Sequence, residues 1–190
     1  MFMNTQDHFG LIARLLHWLI AALAIGMLVG GGLLSILPSG GFKAVAITGH
    51  KSIGVVIFLL MIGRIAWRLT NPQPRDLGNI PVLNYIAHLV HIFLYVLLLL
   101  QPLVGILMSQ AYGYPVSVFG IFTLPPLVWK SPSLGNVFRE AHGVTAVLLA
   151  AFIVIHVSAA LKHHFFDRDN NRAKSYMHIL ANIQGTVAGN

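Results

Sequence analysis

The chain has 190 residues, of which 56% are hydrophobic and only 9% charged; a soluble domain carries about 25% charged residues, so the composition defines an integral membrane protein. There is no cysteine, which excludes disulfides, thiolate-held zinc, iron–sulfur clusters and a covalently attached c-type haem. The formal charge of +7 sits in short stretches between apolar spans, which argues against a nucleic-acid partner and makes the distribution of charge more telling than its sum.

Residues 1–10 form a short polar tail with no Lys or Arg. Lacking a basic n-region and a small-residue cleavage pattern, this end predicts no cleaved signal. Span one runs from Leu11 to about Leu37, with Arg14, His17 and Trp18 near its start. Gly30, Gly31 and Gly32 thin its far end and read as packing or boundary glycines. Span two covers about 44–68, with His50 and Lys51 at its start and Arg64 and Arg68 at its close. A polar, proline-rich loop follows at 70–81. Span three covers about 83–108, carrying His88 and His91 early and Gln101-Pro102 late. The connection 109–137 is long and rich in aromatic residues and proline. Span four covers about 138–166 and carries His142 and His156. The spans and their connections make one domain, 1–170, followed by a polar tail, 171–190, in which 176–183 reads as a short surface helix. The prediction is an all-α, four-helix membrane bundle.

Orientation follows from Lys and Arg. Arg14, Arg64, Arg68, Arg75, Lys162, Arg168, Arg172 and Lys174 fall on the side of both termini, against Lys43, Lys51, Lys130 and Arg139 on the other. The positive-inside rule places both termini in the cytoplasm.

Histidine carries the chemistry. His142 and His156 are fourteen residues apart, close to four helical turns and about 21 Å of rise, so both imidazoles leave one face of span four at different depths. Ionisable or metal-binding side chains inside a membrane are costly and mark function. By depth, His17 pairs with His156 and His50 with His142. Each pair is suited to clamp one non-covalent haem b, with iron held by two axial imidazoles and left with no open position. A closed zinc site wants four ligands, and each depth offers two. His88 and His91 share a face of span three, and either is a chemically competent alternative to His17. His91, His163 and Trp18 are also placed to line a pocket beside the inner pair, where imidazole would hydrogen-bond a quinone carbonyl and exchange its proton. The competing reading makes these residues interfacial anchors. Lys51, Lys130 and Arg139, with Lys43, lie on the outer side, either as a funnel for small anions or as headgroup-facing charges. Arg139 and Glu140 read as an ion pair or as caps of span four rather than as an acid and base.

Taken together, His17-Trp18, His50 in TGHKSIG, Arg64 with Arg68, the AHLVH of His88 and His91, Phe119-Gly120, and the run from His142 through His156 to Lys162-His163-His164-Phe165 resemble the bacterial cytochrome b561 family over about residues 8–170. The resemblance implies a bacterial inner-membrane protein with two b haems ligated by His17, His156, His50 and His142. It also implies ubiquinone near Trp18, His91 and His163. In the superoxide oxidase members, superoxide arrives at the cationic outer surface, gives its electron through the haems to ubiquinone and leaves as oxygen. No protein partner is required in that reading. The same histidine spacing occurs in cytochrome b subunits of membrane hydrogenases and formate dehydrogenases, which implies an alternative role between a partner dehydrogenase and the quinone pool.

Overall fold

The computed structural model describes residues 2–74, 81–162 and 165. Four helices dominate: α1 (Leu11–Ile36), α2 (Gly41–Thr70), α3 (Pro81–Ala111) and α4 (Pro132–Lys162). Each contains an 18-residue window of mean hydropathy between 2.0 and 2.5, of which no more than 22% is buried within the chain. The outward faces are therefore as apolar as the interior, which is how a helix surrounded by lipid reads. The 31 residues of α4 rise about 46 Å, beyond the ~30 Å hydrocarbon layer.

The principal helix pairs are α3–α4, α1–α2 and α2–α3. One layer of core joins the first three helices, with Tyr95, Leu98 and Leu99 of α3 packed against Ile20 of α1 and Ile57 and Met61 of α2, and another joins α3 to α4 through Leu94, Leu97 and Leu149. Neither α1 nor α2 packs closely along α4. That interval matters, because His17 and His50 face α4 across it.

The connection between α3 and α4 is more regular than the sequence suggests. Strand β1 (Ser117–Val118) pairs antiparallel with β2 (Phe122–Thr123). Phe119 and Gly120 both take positive φ, 51° and 74°, and the Ile121 N–H donates to the Val118 carbonyl at 3.0 Å. This is a hairpin turn of the primed kind, whose twist suits the two strands. Fully buried Ser52 of α2 pins it: its Oγ receives the Phe119 N–H at 2.9 Å and lies 3.2 Å from the Ser117 carbonyl oxygen. Val116 and Val118 add an apolar seal against Val55 and Ile106.

Both ends of the connection read as loop are in fact helix. The sequence predicts a start of span four near 138, whereas α4 begins at Pro132. Ser131 caps it, its Oγ accepting the Leu134 N–H at 3.4 Å, and proline at the first helical position suits the fixed φ of that turn. The tail before α1 is folded rather than loose. Asn4 is buried, donating to the Pro72 carbonyl and accepting the Gly10 N–H. Arg75, His163, His164, the tail 171–190 and its expected surface helix at 176–183 lie outside the described residues.

Candidate functional site: two imidazole pairs

Helix spacing sets the depth of each histidine, and the bundle brings them together in two groups. At the end carrying the hairpin, His50 of α2 faces His142 of α4 with ring centres 6.4 Å apart and planes at 77°. At the end carrying the N-terminus, His17 of α1 faces His156 of α4 at 6.2 Å and 77°. A metal–imidazole bond is about 2 Å long and the ring centre lies about 1 Å behind the bonding nitrogen, so two axial imidazoles on one metal have centres about 6 Å apart. Both pairs meet that spacing.

The hairpin end also has the room. A cavity of about 620 Å³ is lined from all four helices, including Ala24, Gly31, Gly54, Gly105, Ala146 and Ala150 beside His50 and His142. That volume lies within the usual range of ligand sites. Two glycines let the rings sit where they do. A Cβ at Gly31 would stand 3.2 Å from His50 Cε1, and one at Gly105 would stand 3.0 Å from His142 Cε1. The sequence marks Gly31 as a packing or boundary glycine but gives no signal at Gly105.

His142 is held by hydrogen bonds as well. Its Nδ1 is 3.1 Å from the Gln101 carbonyl oxygen and its Nε2 is 3.3 Å from the Gln101 side-chain nitrogen. Thr145, itself buried, donates to Gln101 Oε1. Gln101 and Thr145 were not assigned a role from sequence. The available signal was a lone amide in an apolar span, which needs a partner there.

At the N-terminal end, His91 of α3 brings a third imidazole, 5.2 Å from His156. That is closer than the axial spacing, so His17 fits the second ligand position better than His91. His88 is exposed. Trp18 meets His17 edge-on at 5.4 Å and is 69% exposed toward the lipid-facing surface. Arg64 Nε donates to Tyr95 OH at 2.9 Å, and the guanidinium groups of Arg64 and Arg68 lie 5.5 and 5.7 Å from the Tyr95 ring centre. Two cations thus stand on one tyrosine beside the imidazole cluster. His163, expected in this region, lies outside the described residues.

The three expected steering cations occupy different settings. Lys51 lines the cavity; its Nζ donates to the Pro115 carbonyl at 3.3 Å and sits 5.7 Å from the Tyr114 ring centre. Lys130 lays its aliphatic stem over Gly113, so both lysines flank the segment leading into the hairpin. Arg139 lies one turn from His142 on α4 and pairs with Glu140 at 3.2 Å on the exposed surface, as read from sequence. Lys43 instead closes the end of α1 by donating to the Leu37 carbonyl.

A bundle of apolar spanning helices with opposed imidazoles at two depths defines a membrane electron-transfer cytochrome of the b type. The family comparison agrees: a model described as prokaryotic cytochrome b561 matches residues 8–174. The chain belongs to that family, which implies haem b binding and a bacterial membrane location. It is 33% identical over 171 residues to cytochrome b561 homolog 2 of Escherichia coli K12, covering 89% of this chain and 91% of that one. It is 30% identical over 122 residues to the probable superoxide oxidase CybB of Yersinia pestis, covering 64% of this chain and 69% of that one. Cytochrome b561 homolog 1 of Escherichia coli K12 is 29% identical over 122 residues, with the same two shares.

Proposed function

We propose that this cytochrome is a superoxide oxidase: two superoxide anions each give up one electron and leave as O2, and ubiquinone takes both electrons with two protons to become ubiquinol. The observation that carries the reading is the pair of imidazole clamps at two depths in one bundle, spaced 6.4 and 6.2 Å between ring centres. Bound there, two b haems supply reversible one-electron carriers in series across the membrane.

The chain's own residues do the rest. The hairpin end faces the periplasm and both termini face the cytoplasm, by the distribution of Lys and Arg. Lys51, Lys130 and Arg139 attract the small anion and raise its arrival rate. His50 and His142 hold the outer haem, and His17 and His156 the inner one. Trp18 and His91, with His163, bind ubiquinone arriving through the lipid, and the imidazoles relay its protons from the cytoplasmic side. A b haem held between two imidazoles would supply outer-sphere electron transfer rather than oxygen binding. The similarity to a probable superoxide oxidase supports this reading over the dehydrogenase-subunit one.

The test is to mix oxidised, purified protein rapidly with superoxide while following the b-haem bands, with and without ubiquinone. Fast reduction followed by electron passage to ubiquinone is the expected result. Two bound haems that ignore superoxide yet accept electrons from a periplasmic dehydrogenase would overturn it in favour of the subunit role.

A further inference from the structure

The two imidazole pairs are alike in spacing but not in their surroundings. Among the described residues, His142 is the one member of the four that makes hydrogen bonds, and both of its nitrogens are engaged by Gln101. The proton positions in this network follow from counting donors. The Gln101 carbonyl can only accept, so His142 Nδ1 must carry the proton facing it. In a neutral imidazole Nε2 is then a bare lone pair, and the Gln101 amide must present its NH2 to it. That turns Gln101 Oε1 toward Thr145, which has to donate. The alternative has Thr145 giving its proton back to the Ala141 carbonyl, 2.8 Å away. It would turn the amide oxygen toward Nε2 and demand a second ring proton. One arrangement therefore satisfies every group around a neutral ring, and it leaves Nε2 as the nitrogen for iron.

A metal held at Nε2 would replace the amide contact there, whereas the carbonyl contact is made by the other nitrogen, Nδ1. An axial imidazole whose other N–H is held by an acceptor is a more basic, more electron-donating ligand, and it stabilises the oxidised metal. Pro102 lies inside α3, where its missing N–H withdraws a bond from the Leu98 carbonyl one turn back; the Gln101 carbonyl has two lone pairs, so it can bond within α3 and still accept from His142 on α4. Gly105, one turn on, removes the Cβ that would push the ring off this contact.

We propose that the Gln101 backbone carbonyl is a positioning group that fixes the His142 tautomer and lowers the potential of the outer haem, which favours the electron step from the hairpin end toward the His17–His156 end. This rests on the dihaem reading above. It adds a single contact, which the inner pair lacks among the described residues, that would favour the outer-to-inner step that reading requires.

Pro102 makes the contact testable without disturbing the backbone donors. Replacing Pro102 with lactic acid by chemical or suppressor-based incorporation turns the Gln101 carbonyl into an ester carbonyl, a weaker acceptor. Neither residue has an N–H to lose. Pro102→Ala carries the same methyl side chain as lactic acid, and the N–H it gains faces the Leu98 carbonyl one turn back rather than the Gln101 carbonyl. Each haem-loaded protein is titrated potentiometrically, and the outer step is identified as the one missing in His142→Ala. The expected result is an upward shift of the outer midpoint in the ester protein beyond that of Pro102→Ala, with the inner midpoint unmoved and two haems bound. Two haems with an outer midpoint equal to the control would overturn the carbonyl's role and leave the dihaem reading standing. Fewer than two haems in the unaltered protein would overturn the dihaem reading itself.

Discussion

The two ends of the bundle solve different problems with the same residue type. The hairpin end is a walled seat. His50 and His142 share a cavity with small residues, glycines make room for the rings, and a hairpin fastened through Ser52 lies over it. The N-terminal end is laterally open. His17 and His91 stand 6.2 and 5.2 Å from His156, and Trp18 stands beside His17 with 69% of its surface exposed. A seat of the first kind suits a cofactor that stays, with reactants meeting only its edge. An opening of the second kind suits a lipid-borne partner that enters from the bilayer. The contrast is sharpest in the anchoring groups: Gln101 and Thr145 fix an imidazole at one end, whereas Arg64, Arg68 and Tyr95 gather charge at the other.

The largest expected effect breaks one end while sparing the other. His142→Ala should bind one haem in place of two, read from the haem-to-protein ratio of the purified protein. His17→Ala should do the same at the opposite end. His91→Ala separates the three-imidazole cluster into ligands and non-ligands: it should keep both haems and slow quinone reduction. Loss of a haem from His91→Ala, with retention in His17→Ala, would exchange their roles.

Much of this contrast was legible in the chain. Fourteen residues between His142 and His156 give two depths from helix geometry alone, and matching His17 and His50 by depth anticipates the observed pairs. The spans are legible because every backbone group in lipid must be bonded internally, which leaves long apolar helices as the solution. What was not legible depends on contacts between distant elements. Gln101 reaches His142 across 41 positions of sequence, and Ser52 reaches Phe119 across 67. Neither has a periodic signature. The start of α4 was missed for a more local reason. Ser131-Pro132 is a helix-entry signal, but it lies in a stretch whose aromatic and proline content resembles loop.

A smaller effect should come from the room around one ring. Gly105→Ala places a Cβ 3.0 Å from His142 Cε1, closer than ordinary contact, so the imidazole must move. Reduced occupancy of the outer haem, with the inner one intact, is the expected outcome of a haem titration. Full occupancy of both would show that the seat tolerates the shift and that Gly105 is packing alone.

Charge comes next. Replacing Lys51, Lys130 and Arg139 together with Gln should slow haem reduction by superoxide about tenfold at low salt, the lower end of electrostatic steering effects. It should also flatten the dependence on ionic strength, because screening acts only on charges that contribute. Arg139 is already neutralised in part by Glu140, so the single variant Arg139→Gln should move the rate least and Lys51→Gln most. Equal effects from all three would mean that net charge, rather than the lysines flanking the hairpin approach, steers the anion.

The smallest expected effect concerns what keeps the seat covered. Ser52→Ala removes the acceptor of the Phe119 N–H at the tightest point of the hairpin, where Phe119 holds an unfavourable positive φ of 51°. A net hydrogen bond is worth about 1 kcal/mol, so the hairpin should open more often while the helices stay intact. Faster amide exchange at Phe119, with unchanged haem content, is the expected signature. Lys51 is bound to the same segment through Pro115, so freeing the hairpin should also free its ammonium group and steepen the salt dependence of the superoxide reaction. If exchange at Phe119 stays slow, Val116 and Val118 hold the hairpin through their apolar contacts with Val55 and Ile106. The wall of the outer seat would then be a packing device rather than a hydrogen-bonded one.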